Sequence, residues 1–514
     1  MEIIRFLLVR LNIEAILREP TIYRRKEMLR KMTDGVGWRD AYSSTIERIK
    51  AQDEGKSGLG VAALMWVIYA ERPLRADELC HALAVELGSK DFNAGNAPSI
   101  STLVGCCLGL ITVDNETSTL RLVHPTLKEY FSNRTDIFSR PHSTIAEICL
   151  TYLNSEQVKS LAADHCPAIH DTPFLEYCSL YWGVHAKRDL SDDARSVALE
   201  LFRKYDGHIS SKLLLGQVKY LDGGRSASYL GNVSGSTGGV SSFGPLHCAS
   251  FFGSVELVST LLGMDLNIDG TDARGSTPLM WAARNGHEKV VEMLGCYEVR
   301  PNLPDFTGMT PLLYAIGYRH ERVVEILLRQ RGADPDFPDG LGKTPLSYAA
   351  QNGLVGAVKM LLERGGNPNK PDNSRKTPLS FAARSGHDRV VEILLGRTVS
   401  PDMPDLDGQT PLSYAASGGH EEVVKILLGW RGVNPDKPDK EGRTPLMCAA
   451  SGGHTGVVKI LLGREEVNPR KPDNQGQTPL MLATRLGFQE VTTLLQSHEA
   501  ETPAQPEAQE STPH

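Results

Sequence analysis

The second half of the chain repeats one pattern of apolar and polar positions eight times. The tripeptide Thr-Pro-Leu opens a new copy every 33 or 34 residues, and Gly244-Pro245-Leu246 stands one period earlier as a degenerate first copy. The seven full copies begin at Thr277, Thr310, Thr344, Thr377, Thr410, Thr444 and Thr478. A fixed period of this length is typical of an array in which each copy packs on its neighbours.

Each copy predicts a turn followed by two helices. Residues 439–444 are turn formers, and the threonine that ends them can cap a helix whose first residue is Pro445. Small residues fill this helix, and Gly453 ends it. Residues 457–462 then supply the apolar face of a second helix. We therefore predict a helical solenoid of eight units over residues 243–498.

The first half has no such period. Between residues 58 and 131, three apolar helical segments precede two alternating strands and a closing helix, which predicts a winged-helix arrangement. The predicted domains are a helical segment at 1–50, a winged-helix-like domain at 51–135, a helical extension at 136–221, a Gly/Ser linker at 222–242, the repeats at 243–498 and a disordered acidic tail at 499–514.

The lettering T-P-L-x-x-A-A-x-x-G-H of the copies resembles the ankyrin repeat. The whole chain is then mainly α: a helical and winged-helix first half, followed by an ankyrin α-solenoid with short β-hairpin turns. Ankyrin repeats hold proteins on a concave face built from turn tips and first helices. The resemblance therefore implies a protein ligand whose identity the sequence does not reveal.

Some copies depart from the pattern. Arg375 replaces the turn glycine, and Arg319 replaces the glycine that ends the first helix. Leu354 and Phe488 replace the histidine that follows that glycine. A side chain disfavours the left-handed backbone that glycine adopts freely. We therefore predict strained or rearranged turns at these positions, and an ordinary ankyrin backbone at Arg319 would contradict this.

Two further features recur once per copy. One is a stripe of mainly aromatic residues directly before the paired alanines, comprising Trp281, Tyr314, Tyr348, Phe381 and Tyr414, with Cys448 and Leu482 in the same register. The other is the histidine after the helix-ending glycine. We interpret the stripe as core between repeats rather than a stacking platform. The histidines are interpreted as structural, since no single metal or catalytic site needs one residue in most repeats.

The positions free to vary at turn tips and first helices are the candidate partner-binding residues. Exposed aromatic residues among them are plausible anchors. The set predicted to bind the partner comprises Arg274, Arg284, Asn285, Phe306, Met309, Tyr318, Lys343, Gln351, Asn352, Lys376, Arg384, Asp407, Gln409, Lys440 and Arg443.

Composition bounds the class of protein. Of the 514 residues, 40% are hydrophobic and 23% charged, which excludes wholesale disorder. A net charge of −7 differs from the basic footprint of a nucleic-acid binder. The nine cysteines are scattered without a C-x-x-C pair, which favours a reducing compartment. No segment has the pattern of a signal peptide or a membrane span, so we expect a cytoplasmic protein.

The first half resembles a known architecture. ALMWVIYAERPLRADELCHALAVELG, LVGCCLGLITVDNETSTLRLVHPTLKEYF and PFLEYCSLYWGVHAK are similar to the region after the nucleotide-binding domain in fungal NACHT–ankyrin proteins of the NOD-like receptor (STAND) type. The middle stretch is similar to the winged-helix module named after GPI inositol-deacylase. FLLVRLNIEAIL with DAYSSTIERIKAQ resembles the helical segment that closes the NACHT region. The family implies an effector, a nucleotide switch and a repeat sensor.

Signatures of chemistry are absent from the sequence. A phosphate-binding G-x-x-x-x-G-K-[ST] loop would need a glycine where Lys50 and Phe337 stand, so neither Gly55-Lys56-Ser57 nor Gly342-Lys343-Thr344 forms one. No H-E-x-x-H, G-x-S-x-G or paired Cys/His spacing occurs. We therefore predict no catalytic, cofactor-binding or metal-binding residues, no bound nucleotide, and a receptor whose NACHT switch is missing from this gene product or lost.

Three hypotheses about function remain open. The first is a non-enzymatic interaction protein, the ankyrin sensor or scaffold half of a NACHT-type receptor-like protein. The second is a fragment of a nucleotide-dependent NTPase switch. The third is a DNA-associated regulator acting through the winged helix, although its third predicted helix, SISTLVGCCLGL, has no Lys or Arg to read a groove.

Overall fold

The computed structural model describes residues 20–33, 37–89, 91–132, 134, 136–161, 172–205, 208–221 and 243–501. Contacts divide the chain into two units, Met1–Met264 and Asp265–His514. Residues 1–19 of the predicted helical segment, the predicted linker at 222–242 and residues 502–514 of the predicted tail lie outside the described residues.

The first unit is built mainly from helices. Its α-helices are α1 Ile22–Thr33, α2 Gly37–Lys50, α3 Glu54–Tyr69, α4 Ala76–Leu83, α5 Ile100–Cys106, α6 Thr126–Ser132, α7 Pro141–Leu153, α8 Glu156–Lys159, α9 Leu175–Arg188, α10 Asp192–Phe202, α11 Ile209–Leu221, α12 Pro245–Phe252 and α13 Val255–Leu262. Two strands, β1 Ile111–Val113 and β2 Leu120–Leu122, lie between α5 and α6. A 3₁₀ turn covers Ala94–Asn96.

The predicted winged-helix arrangement is confirmed. Helices α3, α4 and α5 precede an antiparallel hairpin in which Ile111 pairs with Leu122 and Val113 with Leu120. The amide of Leu120 also donates to the carbonyl of Leu74, which ties the hairpin to the start of α4. Each strand has three residues, and just beyond them the amide of Val123 donates to the carbonyl of Leu110 at 3.0 Å and the amide of Asp114 to that of Thr119 at 2.8 Å.

Aromatic rings fill the core of the first unit. Trp66 of α3 meets Phe174 and Tyr177 edge-on, with ring centroids 5.5 and 5.8 Å apart, and all three side chains are fully buried. Helix α9, which carries Tyr177, packs along α7. The winged-helix region and the helical extension therefore share one core. Edge-to-face ring pairs of this kind stabilise it beyond the apolar area that they bury.

A buried carboxylate also stands in this unit. Glu78 of α4 has no exposed surface, yet both oxygens accept hydrogen bonds from Arg72 at 2.8 and 2.7 Å. One of them also accepts from the amide of Arg75 at 2.8 Å. A buried charge is tolerated only when it is paired and hydrogen-bonded in this way.

The degenerate first repeat, α12 and α13, belongs to the first unit by its contacts. Phe252 of α12 lies edge-on against Trp182 of α9 at 5.3 Å. A Cβ at Gly183 would stand 2.1 Å from the Phe252 ring, so the close approach of the two helices requires glycine there. The first copy thus buries its aromatic side chain against α9, as suits a capping repeat.

The other seven repeats form the second unit, each as one helix pair. Numbered 2 to 8, the pairs are α14 Pro278–Arg284 and α15 Glu288–Gly295; α16 Pro311–Gly317 and α17 Glu321–Arg329; α18 Pro345–Asn352 and α19 Val355–Glu363; α20 Pro378–Ser385 and α21 Asp388–Leu395; α22 Pro411–Ser417 and α23 Glu421–Leu428; α24 Pro445–Ser451 and α25 Thr455–Leu462; α26 Pro479–Leu486 and α27 Gln489–Glu501. The mainly α prediction, with eight helix pairs, is confirmed.

The local interactions that form each helix pair are those that the sequence predicts. In repeat 7, the hydroxyl of Thr444 accepts from the amide of Met447 at 3.3 Å, and Pro445 takes the first helical position. The turn before the helix is closed by a backbone bond of 2.9 Å from Asp439 to Arg443. Between neighbouring repeats, single backbone bonds link the turn tips, as from Lys440 to the carbonyl of Asp407 at 2.9 Å.

The turns are not rearranged, so that part of the prediction is wrong, whereas the predicted strain is present at Arg319 and Arg375. Arg319 and Arg375 adopt φ values of 66° and 63°, the same left-handed region as the glycines at equivalent positions, such as Gly453 at 71°. Leu354 keeps the backbone that histidine has elsewhere, with φ −82° and ψ 83°. Packing against neighbouring repeats imposes this backbone conformation. The two arginines adopt it although the left-handed region costs residues other than glycine roughly 1–2 kcal/mol of conformational free energy.

Candidate functional site

An aspartate organises each turn of the second unit, buried in five of the seven turns and half-buried at Asp372 and Asp473. The Oδ1 atom of Asp339 accepts from the amides of Leu341 and Lys343 at 2.9 and 2.8 Å. The same pair of bonds recurs at Asp272, Asp305, Asp372, Asp405, Asp439 and Asp473. An aspartate that satisfies two amides of its own turn holds the tip in one conformation.

The second carboxylate oxygen anchors the aromatic stripe. The indole N–H of Trp281 donates to Asp272 at 2.9 Å, and the hydroxyl of Tyr348 donates to Asp339 at 2.8 Å. Tyr314 and Tyr414 make the same bond to Asp305 and Asp405. Each aspartate stands nine residues before its ring. The rings are thus fixed at one edge to the turn of their own repeat.

The stripe is half core and half surface. Trp281 and Tyr414 are buried, as the interpretation of the stripe as inter-repeat core requires. Tyr314, Tyr348 and Phe381 are only half-buried. The core interpretation is therefore confirmed for two rings, and the others offer part of a face to solvent.

Cations lie over these rings. The guanidinium carbon of Arg284 is 5.3, 5.9 and 5.1 Å from the centroids of Trp281, Tyr314 and Tyr318. Arg284 and Trp281 belong to repeat 2, whereas the two tyrosines belong to repeat 3. Separations of this size are those of cation–π contacts.

The next two repeats continue the arrangement. The ammonium of Lys343 lies 3.9 Å from the ring centroid of Tyr348 and 4.5 Å from that of Phe381. Lys376 and Arg384 both lie over Tyr414, at 5.6 and 5.7 Å. We call these five rings and four cations the cation–ring face: Trp281, Tyr314, Tyr348, Phe381 and Tyr414, with Arg284, Lys343, Lys376 and Arg384.

The ammonium of Lys343 lies between the rings of two successive repeats. Burial lowers its pKa to about 8, against the opposing influence of Asp339 and Asp372, which raise it. The two rings also favour the charged form, so Lys343 is mainly protonated at neutral pH. Its ammonium further donates to the side-chain oxygen of Gln351, which joins the turn tip to the end of the first helix.

Four more of the predicted residues lie around the cation–ring face. Phe306 stands at the turn tip of repeat 3 with 81% of its surface exposed, and Tyr318 is 42% exposed at the end of α16. Met309 is half-buried with its sulfur 3.8 Å from the Tyr348 hydroxyl. Asn352 is half-buried and donates to the carbonyl of Ile316 at 3.4 Å.

The remaining predicted residues divide between tips and helix ends. Asp407 and Lys440 are exposed at the tips of repeats 6 and 7, and Gln409 is half-buried beside them. Arg443 turns back on its own turn, bonding Asp439 at 3.0 Å and pairing with Glu441 at 3.1 Å. The half-buried pair Arg274 and Asn285 completes the set in repeat 2.

The structure therefore separates structural from accessible members of the predicted set. Arg284 is only 8% exposed, so its guanidinium stabilises the joint between repeats 2 and 3 and offers little surface to a partner. Arg384, by contrast, is exposed. Sequence reasoning missed the aspartates, although their constant spacing of nine residues from the stripe is visible in the sequence.

The repeated histidines are structural, as predicted. The Nε2 atoms of His320, His387, His420 and His454 lie 2.9–3.0 Å from a first-helix carbonyl of the preceding repeat. Each ring packs on the glycine that ends that helix: a Cβ at Gly386 would stand 2.5 Å from His420. This glycine is thus required both by its positive φ of 73° and by the ring against it.

Comparison with known families decides the class. Overlapping matches to a model of three ankyrin repeats run from residue 229 to residue 505, more than half of the 514 residues. The chain belongs to the ankyrin-repeat family. Residues 46–140 match the winged-helix domain of GPI inositol-deacylase, so a winged helix of that type precedes the ankyrin repeats. None of the described helices is long and apolar enough to cross a membrane.

Proposed function

We propose that the chain is a non-enzymatic interaction protein that holds an acidic segment of a protein partner on the cation–ring face of its ankyrin repeats. The observation that carries the proposal is the placement of Lys343, Lys376 and Arg384 over rings of successive repeats. Ankyrin repeats are protein-binding modules, and in this chain the cation–ring face supplies the chemistry that would select the partner.

Stacking prepares these cations for binding. A lysine or arginine side chain loses rotamer freedom when it pairs with a partner, which opposes association. Here Lys343 is restrained between Tyr348 and Phe381, and Lys376 by Tyr414, before a partner arrives. Much of the ordering cost is therefore met by the repeats themselves.

The charge of the turn tips in repeats 4 and 5 indicates the charge expected of the partner. In repeats 4 and 5 the variable positions of the turns and first-helix ends carry Lys343, Arg375, Lys376 and Arg384 and no acidic residue. The turn carboxylates in these repeats are engaged by amides of their own turns. Complementary potentials favour association, so carboxylate side chains are the expected counterpart.

Apolar side chains at three tips add an anchor. Phe306, Leu341 and Leu406 are 81%, 49% and 47% exposed at the tips of repeats 3, 4 and 6. Buried aromatic and aliphatic anchors carry much of the energy of protein interfaces, and charges at the rim contribute specificity. A segment with both apolar and acidic side chains satisfies both parts.

We further propose that the chain is the sensor or scaffold half of a NACHT-type receptor-like protein. What supports this is the order of modules, a winged helix of GPI inositol-deacylase type followed by ankyrin repeats, together with the resemblance of the first half to fungal NACHT–ankyrin proteins. A titration of the full chain with a fluorescent ATP analogue is expected to give no saturable binding. Saturation at micromolar analogue would instead favour the nucleotide-switch hypothesis.

Selection from a displayed library of 16-residue segments tests the binding function. The full chain is expected to enrich segments with several Asp or Glu beside an apolar residue. The variant K343Q/K376Q/R384Q is expected to lose that enrichment. A matched variant, K289Q/R389Q/K459Q, removes the same charge from exposed positions on second helices and is expected to keep it. Enrichment of segments without acidic residues would overturn the proposed chemistry.

A further inference from the structure

A group of potential metal ligands lies in the first unit. Glu71 follows α3, His142 lies in the first turn of α7, and His185 lies near the end of α9. One ligand atom from each residue lies within 4.8 Å of the others. The Nδ1 atoms of the two histidines are 2.9 Å apart. The three residues are distant in sequence, so no spacing motif announces them.

A hydrogen bond with Tyr177 orients His185. The hydroxyl oxygen of Tyr177 lies 3.0 Å from His185 Nε2 and accepts from the amide of Glu71 at 3.1 Å. That oxygen has room for a second donor, so an Nε2–H of His185 can bond to it. His185 Nδ1 then accepts from the Nδ1–H of His142, and a bound metal would take the place of that proton. Metal-bound histidines characteristically direct their other nitrogen to an oxygen in this way.

Packing restrains both imidazoles. His185 is fully buried, and His142 is half-buried, with its ring edge-on to Tyr69 at 5.4 Å.

Arg188 forms an ion pair with the Glu71 carboxylate and would share it with a metal. Its guanidinium pairs with both oxygens of Glu71, one of them at 3.2 Å and the other closer. A carboxylate has about four lone-pair positions, and a two-point contact with arginine uses two. The remaining positions can serve a cation, although the positive charge of Arg188 opposes it.

We propose that Glu71, His142 and His185 form a binding site for a divalent transition metal. Two imidazole nitrogens and one carboxylate oxygen are a donor set that suits Zn²⁺ and leaves a coordination position open. Two nitrogens that each lie about 2.1 Å from one metal are roughly 3.0–3.4 Å apart, so the pair must separate by a few tenths of an ångström.

Zinc uptake by the full chain tests the site, with a chromophoric chelator as competitor. The parent for all measurements carries C296S, because Cys296 is an exposed thiol. We expect one Zn²⁺ per chain and at least a tenfold loss of affinity in both E71Q and H142Q. H454Q, which removes a structural histidine of the repeats, is the matched control and is expected to bind as the parent does.

Arg188 supplies a test that a fold defect cannot imitate. R188Q removes the competing charge and is expected to tighten Zn²⁺ binding, by about tenfold at low salt. With Co²⁺ as the probe, the site is expected to give visible bands without thiolate charge transfer. The proposal is overturned if the parent takes up no metal, if E71Q and H142Q bind as tightly as the parent, or if R188Q weakens binding.

Discussion

The two units satisfy their buried polar groups in different ways. In the ankyrin repeats one arrangement recurs: a turn aspartate accepts two amides, and in four repeats a ring donor as well. Among the described residues of the first unit the arrangements differ from place to place, as for Glu78 with Arg72, or His208 between Leu153 and Ser210. A contact that recurs with the period of the sequence can be found by reading it, whereas a single one cannot.

The two units also differ in how far the loss of one contact destabilises the structure around it. A repeat contacts only its neighbours, so a defect there is confined to adjacent repeats. The aromatic cluster of the first unit joins α3, α7 and α9 through residues such as Trp66, Tyr152 and Tyr177. A defect in that cluster weakens several helices together.

The largest effect is expected from Trp66→Ala. The side chain is fully buried against Phe174 and Tyr177, and truncating a buried tryptophan costs about 3–5 kcal/mol. Hydrogen exchange of amides in α3, α7 and α9 is expected to show the loss across all three helices. Loss confined to α3 would break the contrast with the repeats.

Trp66→Phe is the matched control for that experiment. The Trp66 indole N–H has no hydrogen-bond partner among the described residues. Phenylalanine retains an aromatic edge for Phe174 and removes this unsatisfied donor. We expect a cost below about 2 kcal/mol, and a cost equal to that of the alanine variant would show that ring contacts contribute little.

Acid is expected to weaken the first unit through His208. Its Nε2 lies 3.2 Å from the Leu153 carbonyl, and its Nδ1 accepts from the Ser210 amide at 3.2 Å, so the native ring is neutral. Burial lowers its pKa from 6.5 to about 4, although the Leu153 bond opposes the shift.

The sign of the pH effect follows from this depressed pKa. Above pH 6.5 neither state of His208 is protonated, and between pH 6.5 and 4 only the unfolded state takes up the proton. Stability is therefore lost as pH falls through this window, by about 3 kcal/mol at most. Exchange-derived opening free energies in α7 measure it, and His208→Gln is expected to have a shallower slope. Equal slopes in both chains would contradict the assignment.

A smaller loss is expected from Asp405→Ala in repeat 6. The carboxylate is 3% exposed and accepts from the amides of Asp407 and Gln409 and from the Tyr414 hydroxyl. Leaving these donors unsatisfied costs about 2 kcal/mol. Tyr414→Phe, which removes one donor, is expected to cost about 1 kcal/mol. Exchange is expected to rise in repeats 5 to 7, and a rise throughout the array would contradict local coupling.

The smallest effect has the opposite sign. Arg319 holds a left-handed φ of 66° that glycine adopts without strain. Arg319→Gly is expected to stabilise repeat 3 by about 0.5–1 kcal/mol in urea unfolding, the flexibility of glycine in the unfolded chain offsetting part of the relief. As a control, Gly386→Ala is expected to destabilise, because its Cβ would meet His420. A destabilised Arg319→Gly would show that the arginine side chain contributes more than its backbone costs.

The repeats were predictable because each element has a local cause. Thr444, Pro445 and Gly453 specify their helix from their own residue types, and neighbouring copies carry the same letters. The same regularity misled the prediction at Arg319, where packing of adjacent repeats overrides the preference of one residue. Local preference is a weak guide wherever tertiary contacts fix the backbone.

The candidate site was predictable in place but not in chemistry. Turn tips and first helices include Lys343 and Arg384, yet the contact of each with a ring of the next repeat depends on stacking that one copy does not contain. The juxtaposition of His142 and His185 is harder still. It arises from the packing of α7 on α9, and neither helix has a pattern that identifies the other as its partner.

Binding of one library-selected acidic segment tests the central claim most directly. Fluorescence anisotropy would compare its affinity for the parent, for K343Q/K376Q/R384Q and for the control K289Q/R389Q/K459Q at one salt concentration. At roughly 1 kcal/mol for each cation on the face, the first variant is expected to bind at least tenfold more weakly. The control is expected to bind within about twofold of the parent. Equal weakening in the two variants would contradict the claim, because binding would then depend on net charge and not on the cation–ring face.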